Sequence, residues 1–130
     1  MMIDSTLLID VLKGDTRAIA IMQGSKGNAL FTTEVNIFEL ATGILRDKKN
    51  PSKSLALVDI MLRNVQVIDL TRNGAVKAAE VHAHLLNQGT PVQPTDCLIA
   101  GIALSNGINS IITRNKADFD RIPGMTVVAY

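Results

Sequence analysis

The sequence predicts an α/β protein with three layers, α/β/α, in which a central, mostly parallel sheet of about five strands lies between layers of helices. Three observations support this prediction. Short apolar segments alternate with segments of helical spacing, as is typical of parallel sheets with right-handed crossovers. The chain has 130 residues, of which 47% are hydrophobic and only 3% aromatic, which suits one aliphatic core. Because no repeat or linker divides it, we expect a single domain spanning residues 1–130.

Five segments are predicted to be strands because they are short and apolar, and several are β-branched. They are Met1–Ile3, Ala29–Thr32, Val65–Ile68, Ser110–Thr113 and Met125–Val128. The segments between them repeat apolar residues at helical spacing and end at turn residues. The first three predicted helices run from a Ser5 or Thr6 cap to Gly14, from Asp15 to Gln23, and from a Thr33 cap through Leu45. The next three run from Ser52 to Arg63, from Thr71 to Asn87, and from Asp96, capped by Thr95, to Ser105. A short helical piece is also predicted within Arg114–Arg121.

The third of these helices is amphipathic. Its apolar side chains form a single stripe that is expected to face the core. The stripe consists of Ile37, Leu40, Ala41, Ile44 and Leu45. Basic residues near the end of the helix, Lys48 among them, suit the negative end of the helix dipole.

Composition excludes several classes of protein. The longest apolar run, Cys97–Leu104, is far shorter than the roughly 20 residues that span a bilayer, so no membrane segment is expected. Asp4 and Asp10 interrupt the apolar start that would otherwise imitate a signal peptide, and we expect a cytoplasmic protein. The formal net charge of +1 argues against a strongly basic nucleic-acid binder. The single cysteine, Cys97, is predicted to be a buried, inert thiol.

Four acidic residues, Asp4, Glu39, Asp96 and Asp118, lie just after predicted strands or early in the following helices. In a parallel sheet these positions lie together at the carboxyl ends of the strands. Carboxylates there can converge on a divalent metal and hence on a phosphodiester. Each acid also has a simpler interpretation. An aspartate at a strand end or in a first helical turn is usually a cap or dipole partner. Glu39 lies opposite the apolar stripe of its helix and could be a solvated glutamate.

Four segments of the chain, in the same order, resemble the motifs of the PIN domain family, and specifically of the toxin ribonucleases of bacterial type II toxin–antitoxin pairs. They are Ile3–Asp10, Thr33–Leu40, Pro94–Ala100 and the closing Thr113–Phe119. The resemblance covers essentially the whole chain and implies a PIN-like fold. It assigns the glutamate role to Glu39 rather than Glu34. The chain departs from the family pattern in its short first strand and in Thr6, where the family often has Asn or Ser.

The resemblance implies a metal-dependent endoribonuclease. A cluster of carboxylates favours Mg²⁺ or, in its place, Mn²⁺, whereas zinc would be expected to recruit His or Cys. His82 and His84 point to different sides of a helix and are not assigned as ligands. The implied roles are direct metal binding by Asp4 and Asp96, ligation or water activation by Glu39, completion of the site by Asp118, and support from Asn115 or Ser5.

The implied partners are an RNA substrate, a cognate antitoxin and a second copy of the chain. Arg114, Lys116 and Lys13 lie near the predicted edge and could contact phosphates, although exposed solubilising charge is the simpler explanation for each. The apolar helices Ile37–Leu45 and Ser54–Leu62 offer surface for a partner, with burial in the chain's own core as the rival explanation.

Two other functions compete with this interpretation of the sequence. A PIN-like domain without catalysis could serve as an RNA-binding or protein-interaction module. A phosphoacceptor receiver domain shares the alternating architecture, but its acidic pattern is matched only in part, by Asp69.

Overall fold

The computed structural model describes residues 1–25, 27–47 and 49–130 and contains a five-stranded sheet. The strands are β1 (Met2–Ile3), β2 (Phe31–Thr33), β3 (Gln66–Ile68), β4 (Ser110–Thr113) and β5 (Thr126–Ala129). Their order in the sheet is β3-β2-β1-β4-β5, and every neighbouring pair is parallel. The predicted α/β architecture is therefore confirmed.

Seven α-helices accompany the sheet in the described part of the chain. They are α1 (Ser5–Leu12), α2 (Thr16–Gly24), α3 (Glu34–Asp47), α4 (Pro51–Met61), α5 (Arg72–Asn87), α6 (Pro94–Ser105) and α7 (Lys116–Phe119), with a 3-10 turn at Leu62–Asn64. None of the helices in the described residues is both long enough and apolar enough to cross a bilayer.

The core has two parts because successive strand residues point to opposite faces of the sheet. Met2 and Ile111 belong to the cluster that contains buried residues of α5 and α6. Ile3 and Ile112 belong to the cluster that contains buried residues of α1, α2, α3 and α4. All four of these strand residues are at most 3% exposed. Helices therefore cover both faces of the central strands, whereas most of the edge strand β5 is exposed.

Several predicted boundaries were wrong by one or two residues. Asp4 occupies the N-cap position of the first helix without a side-chain capping hydrogen bond, and Ser5 is the first helical residue. Helix α6 begins at Pro94 after an N-cap at Gln93, so Thr95 lies inside the helix instead of capping it. Proline is well suited to a first turn because its missing N–H would have no partner there. Strands β2 and β5 begin one or two residues later than predicted.

Three other predicted helix starts are confirmed by side-chain caps. The Asp15 carboxylate accepts a hydrogen bond from the Ala18 N–H at 2.8 Å. Thr71 and Thr33 act in the same way at α5 and α3, at 3.3 and 3.2 Å. These residues occupy positions where an unpaired N–H would otherwise be left at the helix start.

The predicted stripe of α3 was partly wrong. Leu40 is buried as expected, but Leu45 is 56% exposed, and the buried position one turn before Leu40 is taken by Asn36. Phe38 is 64% exposed. Lys48, expected near the end of this helix, lies outside the described residues.

Helices α5 and α6 pack against each other at unusually short range. A Cβ built on Gly101 would lie 2.4 Å from the Ala78 backbone nitrogen, which no side chain tolerates. Ala100 and Ala103 of the same helix are fully buried in the core. The small residues of α6 thus bring α5 against it and fix the position of its first turn, which carries Asp96.

Candidate active site

The strand order creates a switch point between β1 and β4. The chain passes from β1 to β2 and β3 on one side of the sheet, then returns to place β4 and β5 on the other side. Ligands of open parallel sheets bind at such a switch point, beyond the carboxyl ends of the strands. Asp4 directly follows β1 and Thr113 ends β4, so both residues lie at this position.

Asp4 is 3% exposed and is held by hydrogen bonds from several elements. Its Oδ2 accepts from the Thr6 hydroxyl at 2.9 Å and from the Thr113 hydroxyl at 2.6 Å. Its Oδ1 accepts from Asn36 Nδ2 at 3.2 Å and makes a longer contact of 3.4 Å with the Ser5 hydroxyl. A buried carboxylate needs such donors because burial removes it from water.

The two threonine hydroxyls are aimed at Asp4 by backbone N–H groups. Thr113 Oγ1 accepts from the Asn115 N–H at 2.9 Å, and Thr6 Oγ1 accepts from the Arg114 N–H at 3.2 Å. Each hydroxyl has a single proton, which its bond to Asp4 uses. The 3.3 Å contact between the two hydroxyl oxygens is therefore not a further hydrogen bond.

Asn36 holds the other side of Asp4. Its side chain is fully buried, and its Oδ1 accepts from both the N–H and the hydroxyl of Thr33, at 3.1 and 2.7 Å. These bonds fix the amide orientation, so Nδ2 points toward Asp4. The end of β2 is thereby connected to the carboxylate that follows β1.

Glu39 is half-buried and accepts a hydrogen bond from the Ser5 hydroxyl at 2.6 Å. This short bond uses the hydroxyl proton of Ser5, so the longer contact of Ser5 with Asp4 is secondary. The interpretation of Glu39 as a fully solvated glutamate is wrong, because the residue faces α1 beside Asp4.

Asp96 is the acid whose ionisation is most strongly opposed. It is 7% exposed, and its Oδ2 accepts from Asn115 Nδ2 at 3.1 Å. Burial, followed by the charges of Asp4, Glu39 and Asp118, raises the pKa of Asp96 from 3.8 to about 7, while the Asn115 hydrogen bond opposes the rise. The other three predicted acids are thus close enough to Asp96 to act on it electrostatically.

Asp118 lies at the outer side of this group. Its side chain is 30% exposed, and Arg121 Nη1 lies 3.7 Å from its Oδ1. Among the described residues, no three His, Cys, Asp or Glu side chains are already arranged to hold a metal ion. The carboxylates repel one another, and the hydroxyl and amide groups that donate to them hold them apart. These two effects account for the arrangement.

Cys97 and His82 form a separate contact behind Asp96. The thiol is 2% exposed and lies 3.7 Å from His82 Nδ1. Burial, and secondarily the nearby Asp96, raises the pKa of the Cys97 thiol and so disfavours the reactive thiolate. These observations agree with a buried, inert thiol. His84 is exposed.

Sequence reasoning missed Asn36, Thr113 and Asp10 as parts of this region. Asn36 had a detectable signal, since it is a polar residue one turn before Leu40 on the buried side of α3. Thr113 and Asp10 gave no local signal, because a threonine ending a strand and an acid late in a helix are both ordinary. Across the described residues, every buried side-chain nitrogen or oxygen has a partner.

The fold and this site together define a class of parallel α/β proteins that carry a carboxylate cluster at the switch point of the sheet. Within that class, the chain belongs to the PIN domain family, whose sequence model matches residues 1–125. The predicted resemblance is thereby confirmed.

The chain is similar to bacterial proteins named VapC and to chains of structures named VapBC. The chain is 29% identical over 126 residues to the tRNA(fMet)-specific endonuclease VapC of Salmonella typhimurium, covering 97% of this chain and 94% of that protein. The structure of DNA-bound VapBC from Salmonella typhimurium matches with a TM-score of 0.85 at 28% identity, covering 98% and 96% of the two chains. The structure of VapBC2 from Rickettsia felis, bound to a promoter DNA fragment, has a TM-score of 0.88 at 20% identity, covering 99% and 97%.

Proposed function

We propose that this protein is a metal-dependent endoribonuclease and the toxin of a toxin–antitoxin pair. The observation that carries the proposal is the group of four acids at the switch point, three of which raise the pKa of the fourth. A relative that this chain matches over 94% of its length is named as a tRNA(fMet)-specific endonuclease. RNA, with tRNA as the first substrate to test, is therefore the proposed substrate.

The chemistry of the donor set fits Mg²⁺ or Mn²⁺. Asp4 and Asp96 are the proposed direct ligands, Glu39 and Asp118 complete the site, and all four offer hard carboxylate oxygens. The raised pKa of Asp96 supports this fit, because it reflects burial first and then the negative charges of Asp4, Glu39 and Asp118, which a bound cation would offset. When bound, such an ion stabilises charge on the phosphate and makes a coordinated water acidic enough to react near neutral pH.

The protein's own residues have distinct tasks in this proposal. Thr6, Thr113 and Asn36 orient Asp4 through three hydrogen bonds. Asn115 orients Asp96 in the same way. Glu39 is the proposed group that orients the attacking water and accepts its proton, and its hydrogen bond from Ser5 and its partial exposure support this role.

The proposed protein partners are an antitoxin and a second copy of the chain. Four apolar side chains are exposed on α3 and α4, and we call them the α3–α4 surface. They are Phe38 (64% exposed), Leu45 (56%), Leu57 (43%) and Ile60 (52%). Other apolar residues of these helices, Leu40 and Val58, are buried in the core. An apolar surface of this kind commonly marks a protein interface, and the similar structures are named as VapBC complexes.

The deciding experiment is cleavage of total cellular RNA, and of purified tRNA, by antitoxin-free protein. Discrete fragments are expected with Mg²⁺ or Mn²⁺ and should disappear with EDTA and in Asp96→Asn. Asp59→Asn removes the same charge from an exposed site on α4 and should cleave like the wild type. A folded, metal-supplied wild type that binds RNA without cutting it would replace this proposal with the non-catalytic RNA-binding module.

A further inference from the structure

A buried carboxylate outside the four-acid group holds an arginine at the edge of the site. Asp10, late in α1, is 8% exposed. Its Oδ2 forms an ion pair with Arg114, at 2.9 Å from Nε, and accepts a hydrogen bond from the Tyr130 hydroxyl at 2.9 Å. None of the proposed catalytic tasks requires these three residues. Because their contacts join α1, the end of β4 and the end of the sheet at β5, the arrangement depends on tertiary structure.

The arginine is directly connected to the proposed site. The Arg114 N–H donates to Thr6 Oγ1 at 3.2 Å, and the Thr6 hydroxyl donates to Asp4 at 2.9 Å. The backbone of Arg114 therefore lies two hydrogen bonds from the Asp4 carboxylate. The side chain of Arg114 lies on the α1 side of the sheet. Tyr130, which shares Asp10 with Arg114, packs there with the cluster that contains Leu7 and Leu8.

The arginine side chain keeps unused binding capacity. The ion pair with Asp10 is made through Nε of Arg114. The two Nη nitrogens of the planar guanidinium are left for another anion. The Arg114 side chain is 52% exposed, whereas that of Asp10 is 11% exposed. The exposed guanidinium of Arg114 is thus held on one side by a buried carboxylate. The Arg114 side chain has therefore already lost much of the conformational freedom that binding an anion would otherwise remove.

Neighbouring cations are less suited to this task. Lys116 pairs with Asp120 one helical turn away, and Arg121 lies beside Asp118 of the acidic group.

Tyr130 is the second side chain that contacts Asp10. Burial and then its hydrogen bond to Asp10 raise the pKa of the phenol to about 12. The phenol thus remains protonated and continues to donate to Asp10 at any working pH.

We propose that Arg114 binds an RNA backbone phosphate next to the cleaved one, and that Asp10 and Tyr130 are positioning residues that hold its guanidinium there. This inference rests on the proposed ribonuclease function and deepens it. A guanidinium beside a carboxylate cluster gives the RNA backbone an attractive contact at a site whose own charge repels phosphate.

The first test measures RNA binding separately from cleavage. Fluorescein-labelled initiator tRNA is titrated with the Asp96→Asn protein in Mg²⁺ over a range of salt concentrations. Adding Arg114→Ala should weaken binding and reduce the slope of log K against log salt by about 0.7–0.9, the value for one lost phosphate contact. Arg63→Ala, an exposed arginine in the turn before β3 at the opposite edge of the sheet, should leave the slope unchanged. An unchanged slope in Arg114→Ala would overturn the inference.

The second test addresses positioning in the cleaving protein. Asp10→Asn keeps the charge of Arg114, so the salt slope should persist while kcat/KM for tRNA falls about two- to tenfold as the side chain regains its freedom. Tyr130→Phe removes only the hydroxyl, keeps the Asp10 carboxylate, and should lower kcat/KM in the same direction. Thermal unfolding of each variant checks the fold. Wild-type kcat/KM in folded Tyr130→Phe and Asp10→Asn would contradict the positioning role.

The outcomes also separate this inference from the proposed function. If the wild type cleaves RNA and Asp96→Asn binds it, but Arg114→Ala keeps the parental slope, only the role of Arg114 fails. If the wild type does not cleave RNA and Asp96→Asn does not bind it, the proposed function fails and this inference fails with it.

Discussion

The Thr113 hydroxyl donates to Asp4 Oδ2 at 2.6 Å, joining two residues that lie 109 positions apart in the chain. Thr113 ends β4 and Asp4 follows β1, so the contact exists because these two strands are neighbours in the sheet. It fixes one carboxylate oxygen while the other is held by Asn36. The orientation of Asp4 is thus determined from both sides of the switch point.

Replacing Thr113 by valine should remove this control with little change in shape. Asp4 and the Asn115 N–H would each lose a partner, at a cost of about 1–3 kcal/mol in the free energy of unfolding. Cleavage and apparent Mn²⁺ affinity should fall about 10- to 100-fold, as expected for a group that orients a ligand. Thr126→Val, at the exposed start of β5, is the matched control. Equal RNA cleavage by the two variants would contradict this role.

Asn36→Ala should destabilise the protein more than any exposed asparagine substitution. It leaves the Thr33 N–H without its side-chain acceptor and removes a donor from Asp4, in a site that is fully buried. A loss of about 1–3 kcal/mol in unfolding free energy is expected, measured by urea denaturation. Asn28→Ala, in an exposed loop, provides the comparison and should change stability by less than about 0.5 kcal/mol.

Glu39→Gln should reduce cleavage about 10²-fold or more, because an amide neither accepts a proton from water nor balances a cation. Glu34→Gln provides an internal control on the same helix, since Glu34 is exposed in the first turn. Initial rates of tRNA cleavage at saturating Mn²⁺ would compare them. The assignment of the catalytic role to Glu39 would be wrong if Glu34→Gln were the more damaging substitution.

The raised pKa of Asp96 predicts an unusual pH dependence of stability without metal. Between pH 3.8 and about 7 the folded protein keeps a proton that the unfolded chain has lost. The native state therefore binds more protons in this window, and its stability falls as pH rises through it. Asp96→Asn should remove this component and be more stable than the wild type at pH 8 in EDTA.

Urea denaturation at pH 5 and pH 8, with and without Mn²⁺, would test this dependence. The difference between wild type and Asp96→Asn isolates Asp96 from the other acids, and Asp59→Asn is the exposed control. Mn²⁺ should restore wild-type stability at pH 8 and have a smaller effect on Asp96→Asn. A wild type and an Asp96→Asn variant that respond identically to pH would rule out the predicted linkage.

The α3–α4 surface predicts a specific effect on association. Phe38→Ser should raise the dimer dissociation constant about tenfold or more, because an exposed aromatic residue at an interface commonly contributes over 1 kcal/mol. Leu86→Ser removes a comparably exposed side chain, 53% accessible, from α5. Sedimentation analysis of the two variants should show weaker association only for Phe38→Ser. The same pair can be compared for retention of a co-expressed antitoxin.

The amino-acid sequence by itself determined the order of helices and strands and the parallel α/β class. It also indicated Asp4, Glu39, Asp96 and Asp118. These features are local, since apolar spacing sets the element type and a residue just after a strand must lie near the carboxyl edge of a parallel sheet. Boundaries were less determined, as Thr95 shows, because two neighbouring residues can both begin a helix and packing selects between them.

Only the tertiary structure decided which side chains meet. The contacts of Thr113 with Asp4 and of Tyr130 with Asp10 join residues over 100 positions apart, and they depend on the order of strands in the sheet. Glu39 is half-buried beside Ser5 because α3 packs near α1, which its own helical wheel does not reveal. A buried polar group requires a partner in space, and sequence spacing cannot identify a partner supplied by another strand or helix.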